Sequence, residues 1–413
     1  MCAIYGAHPS HFQLLGLQSA PVAIDVERVR ADTPGCQRVA HFNNAGAGLM
    51  ARPVLDAVVD HLQLEARIGG YEAQAEAGER IDHVYHAVAA LIGCHRHEVA
   101  LVENTTRAWD MAFYSLPFGP GDRILTSQCE YVSNAVAFLH VARRTGAVVE
   151  VVPNDEHGQL SVDALRGMLD ERVKLIAITY VPTHGGLVNP AAEVGLLARD
   201  AGVPYLLDAC QAAGQLPLDV AELGCDMLTA TARKYLRGPR GTGFLYVSER
   251  LLSDIEPPFL DLQSAAWVAG RTYEIRPGPL RFETWECAVA ARIGLGVAID
   301  YALDLGLHAI ERRVAALADR MRAQLATIPG VVVHDQGVRR CGIVTFTVEG
   351  IASAGVAAVL RDRGINVSVS RAEFARFDFE ARGLPDLVRA SAHYYNTEAE
   401  VDRLCDAVAG VQL

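Results

Sequence analysis

Lysine is nearly missing from this 413-residue sequence, whose basic residues are overwhelmingly arginine. No basic run offsets a formal charge of −12, from 37 Lys and Arg against 49 Asp and Glu. Broad nucleic-acid binding needs a positive stripe that displaces counterions, so no nucleic-acid partner is expected. The apolar runs fall far short of the ~18–20 residues of a membrane span, and no membrane partner is expected either. The opening residues, MCAIYGAHPS, have neither the basic start nor the continuous apolar stretch of a secretory signal. Nine cysteines lie scattered with no C-x-x-C among them. That pattern suits a reducing cytoplasm and argues against a disulfide framework or a zinc knuckle. Neither a P-loop nor a strand-following G-x-G-x-x-G occurs, which removes the common nucleotide-binding fingerprints.

What is present is a globular balance: 51% apolar and 21% charged residues, ample for a sizeable core. Short apolar runs at 99–102, 123–126, 148–152, 175–179, 204–207, 227–230 and 243–247 alternate with helix-length segments at 106–115, 134–144, 162–169 and 191–200. This alternation predicts an α/β fold, a mostly parallel seven-stranded sheet with helices on both faces. A long helix over 288–325 then leads into strands near 331–333 and 342–347. A helix at 353–363, a strand at 365–370 and a last helix at 397–408 follow. We read a large domain over 41–287 and a smaller α+β domain over 288–413, with residues 1–40 packing against the smaller one. A pocket between the two is the default place for a site.

Four features carry chemistry. Glu103-Asn104-Thr105-Thr106 joins a strand to a helix, with Thr105 or Thr106 as the expected N-cap; its free N–H groups suit a phosphate, although alone it is a plain helix cap. In Tyr205-Leu206-Leu207-Asp208-Ala209-Cys210-Gln211 an apolar strand ends in an acid that needs a cationic partner if buried. A protonated pyridine nitrogen, an arginine or a metal would each serve. Lys234, in Thr231-Ala232-Arg233-Lys234-Tyr235, follows a strand and precedes a glycine-rich stretch. A desolvated lysine can condense with an aldehyde as a Schiff base, whereas an isolated one is ordinarily a solvated turn residue. Arg389, at an expected strand start in the small domain, can clamp a carboxylate bidentately or make an interdomain salt bridge. His83, His86, His95 and His97 complete no metal pattern, and no metal site is expected.

Together these features are what an enzyme using pyridoxal phosphate on an amino acid requires. The layout, from His41-Phe42-Asn43-Asn44-Ala45-Gly46 to the final helix, resembles the class V aminotransferase superfamily of fold type I. That group includes cysteine desulfurases, selenocysteine lyases, isopenicillin N epimerase-like proteins and kynureninase. The strongest motifs are D-A-C-Q and T-A-R-K-x-L-x-G-P-x-G-T-G-F-L-Y. The resemblance implies that Lys234 forms the Schiff base, Asp208 pairs with the pyridinium and Gln211 reaches the ring hydroxyl. It implies Asn104, Thr105, Thr106, Thr231 and Arg233 around the phosphate and Thr183 in cofactor contact. Tyr131 stands where desulfurases stack a histidine on the ring. Arg389, Asn44 and Ala45 are the implied substrate-binding residues, and the protein is expected to be a homodimer.

The sequence departs from desulfurases in two places. Residues 365–377, where those enzymes carry a nucleophilic cysteine, contain none; the F-E-x-G-T of relatives is replaced by Phe282-Glu283-Thr284-Trp285-Glu286. Gly69-Gly70-Tyr71 is similar to a segment of hercynylcysteine sulfoxide lyase, a C–S lyase of the superfamily. The reading is therefore Cα deprotonation of an amino acid followed by β-elimination of sulfur. Transamination or epimerisation share the early steps, and a binding protein that only keeps the fold is the remaining alternative.

Overall fold

The computed structural model describes residues 23–411. Helices α1 (Arg52–Ile68) and α2 (Gly78–Ile92) precede strands β1 (Val99–Val102), β2 (Arg123–Ser127), β3 (Val148–Val152), β4 (Val173–Thr179), β5 (Tyr205–Asp208), β6 (Met227–Thr231) and β7 (Gly243–Val247). These form one seven-stranded sheet in the order β1-β7-β6-β5-β4-β2-β3. Strand β7 runs antiparallel to both its neighbours, and the others share one direction. Successive residues on a strand serve opposite faces. Leu206 accordingly joins Trp109, Phe113 and Phe138 on one side, while Leu207 joins Val194, Tyr235 and Ile299 on the other. Cover on both faces is why these strands read as unbroken apolar runs. Helices α3 (Thr105–Phe113) and α4 (Val132–Thr145) leave the carboxyl ends of β1 and β2, the edge where open α/β sheets bind ligands.

Two helices, α5 (Val289–Leu305) and α6 (Leu307–Leu325), lead to an antiparallel sheet of β8 (Val331–Val333), β9 (Ile343–Val348), β10 (Ser368–Ser370) and β11 (Leu387–Ser391) in the order β8-β9-β11-β10. The expected single helix over 288–325 is thus two. Gly306, at φ 80°, takes up a positive-φ conformation that ends α5, and the chain bends by 79° there. Apolar periodicity runs through the break, which is why the sequence did not reveal it. The expected strand at 365–370 also divides. Ile365–Asn366 pairs in parallel with Ala40–His41, whereas Ser368–Ser370 pairs with β11, so adjacent residues serve different sheets. The hairpin of Ala265–Ala269 and Thr272–Ile275 had no sequence signal that we recognised.

Residues 1–22 of the segment expected to pack with the small domain lie outside the described residues. Within the rest of that segment, Arg30 donates to the Tyr395 carbonyl at 2.8 Å and pairs with Glu400 at 2.9 Å. Thr397 and Glu400 form a capping box at the start of the last helix, Glu398–Ala409. Among the described residues no single helix is long and apolar enough to cross a membrane.

Candidate active site

The carboxyl end of β1 turns into α3 through Asn104, and it is Asn104, not Thr105 or Thr106, that caps the helix. Its Oδ1 accepts from the Arg107 N–H at 2.9 Å. The first-turn N–H groups of Thr105 and Thr106 are left facing the sheet edge with the positive end of the helix. This terminus sits hard against β7: a Cβ on Gly243 would meet the Ala230 carbonyl oxygen at 2.5 Å and Asn104 Cα at 3.1 Å.

Asp208 ends β5 and is only 2% exposed. One oxygen accepts from the Cys210 N–H at 2.8 Å and the other from Asn134 Nδ2 at 3.0 Å. Asn134 Nδ2 also donates to Glu130 at 2.9 Å, and Glu130 further accepts from Tyr131 N–H, Thr126 and Thr179. Burial raises the Asp208 carboxyl above its usual range and pushes Glu130 up to about 7. Among the described residues Asp208 has no ion pair, so neither an arginine nor a metal cluster answers its charge.

Lys234 lies in the turn after β6, 6% exposed, with its Nζ 3.1 Å from Cys210 Sγ. Burial pulls its proton affinity down. It is one of two lysines in the chain; the other, Lys174, is exposed at the start of β4. The turn is held by Arg237, a non-glycine residue at φ 60°, whose guanidinium donates to Leu49 O at 2.6 Å and Tyr394 Oη at 2.7 Å. Such a conformation costs about 1–3 kcal/mol and persists only where its surroundings fix it. Beside Lys234, the Thr231 hydroxyl donates to the Thr242 carbonyl at 3.1 Å.

Arg389 sits in the middle of β11, not at its start, and is 8% exposed. Its Nη1 donates to Thr183 and its Nη2 to Asn43, and among the described residues no carboxylate pairs with it, so the expected interdomain salt bridge is not formed there. Burial without a counter-charge pulls its proton affinity down to about 10. Thr183 Oγ1 also accepts from Gln211 Nε2 at 2.6 Å, and that amide donates to the Ala45 carbonyl at 3.0 Å. Asn44 is fully committed as a brace, donating to the Ser391 carbonyl at 2.6 Å and accepting from Tyr395.

One cavity of about 280 Å³ collects most of these groups. Asn104, Thr105, Thr106, Thr231 and Arg233 line one part, and Tyr131, Thr183, Asp208, Gln211 and Lys234 the remainder. Asn44, Ala45 and Arg389 lie outside the lining, the last one residue behind Thr183. The sequence reading missed Glu130, Asn134 and Cys210. The i, i+4 spacing of Glu130 and Asn134 was the available signal for two of them.

The cavity fits pyridoxal phosphate on its own terms. Thr105 Oγ1, an Arg233 guanidinium nitrogen and Gln211 Oε1 are buried in it without partners. Unpaired buried polar atoms are costly and call for a ligand that pairs them. Donors at the α3 terminus suit a phosphate, the free Gln211 oxygen suits a hydroxyl, and the unpaired Asp208 suits a ring cation.

A family model, aminotransferase class-V, matches residues 40–404. A probable cysteine desulfurase of Xylella fastidiosa (strain Temecula1) is 32% identical over 95% of this chain and 97% of its own. A cysteine desulfurase of Enterobacter sp. (strain 638) is 31% identical over 93% and 97%. The solved apo structure of cysteine desulfurase from Thermococcus onnurineus NA1 aligns with a TM-score of 0.88 at 28% identity, covering 93% of this chain and 97% of that one. The chain belongs to the class-V aminotransferase family and, with it, to the enzymes that use pyridoxal phosphate.

Proposed function

We propose that this enzyme is a C–S lyase that removes the α-proton of a sulfur-bearing amino acid and expels sulfur from Cβ. The observation that carries the amino-acid substrate is Arg389, a buried guanidinium with no anion of its own among the described residues, beside a cavity that holds a buried amine. Bound pyridoxal phosphate supplies an electron sink for the carbanion. Thr105, Thr106 and Arg233 would hold its phosphate, with Asn104 and Thr231 shaping that end; Asp208 would pair with the ring nitrogen, and Gln211 and Thr183 would meet the hydroxyl. Lys234 anchors the cofactor and, once released, takes the Cα proton with its neutral amine. Arg389 clamps the substrate carboxylate through a planar fork. The Tyr131 ring lines the cavity, where it would stack on the cofactor.

Residues 365–377 hold no cysteine, and of the described cysteines only Cys210 lines the cavity. This supports elimination with free release of sulfur, in place of transfer to a loop thiol. Elimination loses the Cα proton and the Cβ–S bond, and the remaining enamine, tautomerised to an imine, takes up one water and leaves as a keto acid with ammonia. Desulfuration by a thiol would instead leave alanine from cysteine. Incubation with a panel of sulfur amino acids, measuring keto acid, ammonia and alanine, decides between them. Keto acid equal to released sulfur supports the proposal, and stoichiometric alanine overturns it.

We also infer a cytoplasmic homodimer. Leu62, Tyr71 and Trp285 line an open groove between α1 and residues 284–292, where the G-G-Y segment and the altered F-E motif meet. Exposed aromatic groups so gathered support burial against a second copy. Light scattering at low micromolar concentration should give twice the chain mass, and an active monomer would overturn the dimer.

A further inference from the structure

We propose that Cys210 is a positioning residue for Lys234: its thiol holds the lysine amine whenever that amine is not bonded to cofactor. The proposal rests on the reading of Lys234 as the cofactor lysine. The Nζ to Sγ distance is 3.1 Å, and no carboxylate pairs with this amine among the described residues. The same residue braces Asp208, whose carboxylate accepts from the Cys210 N–H at 2.8 Å. One residue therefore fixes acid and amine relative to each other, by main chain and by side chain. Its turn is rigid. Ala209 N–H donates to the Thr229 carbonyl on β6, and the N–H groups of Ala212 and Ala213 both return to the Ala209 carbonyl, each at 2.9 Å.

The chemistry explains why a thiol suits this place. An amine must be unprotonated to attack an aldehyde, forming C=N with loss of one water, or to accept a proton from carbon. A carboxylate at position 210 would hold Lys234 as an ammonium ion. A thiol is only a weak acceptor, so it orients the nitrogen while burial still keeps the proton affinity low. The charged or titratable groups facing Nζ are Cys210, Asp208, Arg233 and, from the loop after β4, His184. The last three are unchanged in the variants below.

Two readouts on cofactor-free enzyme test this. ortho-Phthalaldehyde joins a neighbouring amine and thiol into a fluorescent isoindole with loss of two water molecules. In a Lys174→Arg background the apoenzyme should give this fluorescence. Cys210→Ser should lose it, and pyridoxal phosphate should block it. The rate of pyridoxal phosphate loading against pH, followed by visible absorbance, reads the role. Cys210→Ala removes a hydrogen bond that favours the ammonium form, so the acid limb should move to lower pH. Cys210→Ser restores an acceptor and should move the limb back up from the Cys210→Ala position, to the parent position or above it. Coincident limbs in all three proteins, or no isoindole in the parent apoenzyme, would overturn the positioning role. If instead Lys234→Ala gains the same visible band on loading, it is the assignment of Lys234 that fails.

Discussion

Arg389 Nη1 donates two hydrogen bonds to Thr183, to its carbonyl oxygen at 3.1 Å and to its hydroxyl at 2.8 Å. Because Thr183 also takes the Gln211 amide, a strand of the small antiparallel sheet is tied to the carboxyl edge of the large sheet through one side chain. The guanidinium is thereby held one residue behind the cavity wall, with no ion pair among the described residues.

Arg389→Ala should lower kcat/KM by the equivalent of about 2–5 kcal/mol, the cost of leaving a bound carboxylate without its charged partner. Arg389→Lys should rescue poorly, because a point charge does not reproduce the fork. The visible cofactor band should survive in both. Steady-state kinetics beside an absorbance spectrum measure this. Near-parental kcat/KM in Arg389→Ala would move the carboxylate site elsewhere, with Arg371 and Arg376 the next arginines to test.

Glu130 carries a pH signature. Its folded pKa, about 7, lies above the ordinary carboxylate value of about 4.5, so the folded chain binds this proton more tightly than the unfolded one. The resulting contribution to stability is complete below about 4.5 and is lost as pH rises through about 7. Asp208, also raised by burial, adds in the same sense. Melting of apoenzyme between pH 5.5 and 8.5 should therefore show a fall in Tm toward high pH that is shallower in Glu130→Gln. Parallel curves would contradict the assignment.

Glu283, in the altered F-E motif, is a structural hub. It accepts from the Leu101 N–H at 2.8 Å and from Tyr85, and it pairs with the buried Arg292 at 3.0 Å. Glu283→Ala leaves that guanidinium buried and unpaired, a loss of about 3–5 kcal/mol. Urea unfolding should show it, and the double variant Glu283→Gln with Arg292→Leu should recover much of the loss. An unchanged midpoint in Glu283→Ala would refute the hub.

Most strands of the large sheet were legible because burial on both faces leaves a continuous apolar signature; the edge strand β3, half exposed, was legible from its β-branched run. Asp208 and Lys234 were legible as unusual residues at the ends of such strands. The break at Gly306 was not, since an apolar stripe carries through a glycine whose positive φ only the structure reveals. Asn104 as cap was legible in principle, since Asn caps better than Thr, but two adjacent threonines left the helix start ambiguous by one or two residues. The Glu130–Asn134–Asp208 chain and the Cys210 contact depend on α4 and the β5 turn meeting β6, a relation between segments that local spacing does not encode.

The central claim is that Lys234 is the residue joined to the cofactor, and the near absence of lysine makes it unusually testable. Holoenzyme reduced with borohydride should carry one pyridoxyl group per chain, and only two lysines can receive it. Peptide mass spectrometry should find the adduct on Lys234 and none on Lys174, with Lys234→Ala taking up no label. An adduct on Lys174, or reduced holoenzyme with no labelled lysine, would contradict the account.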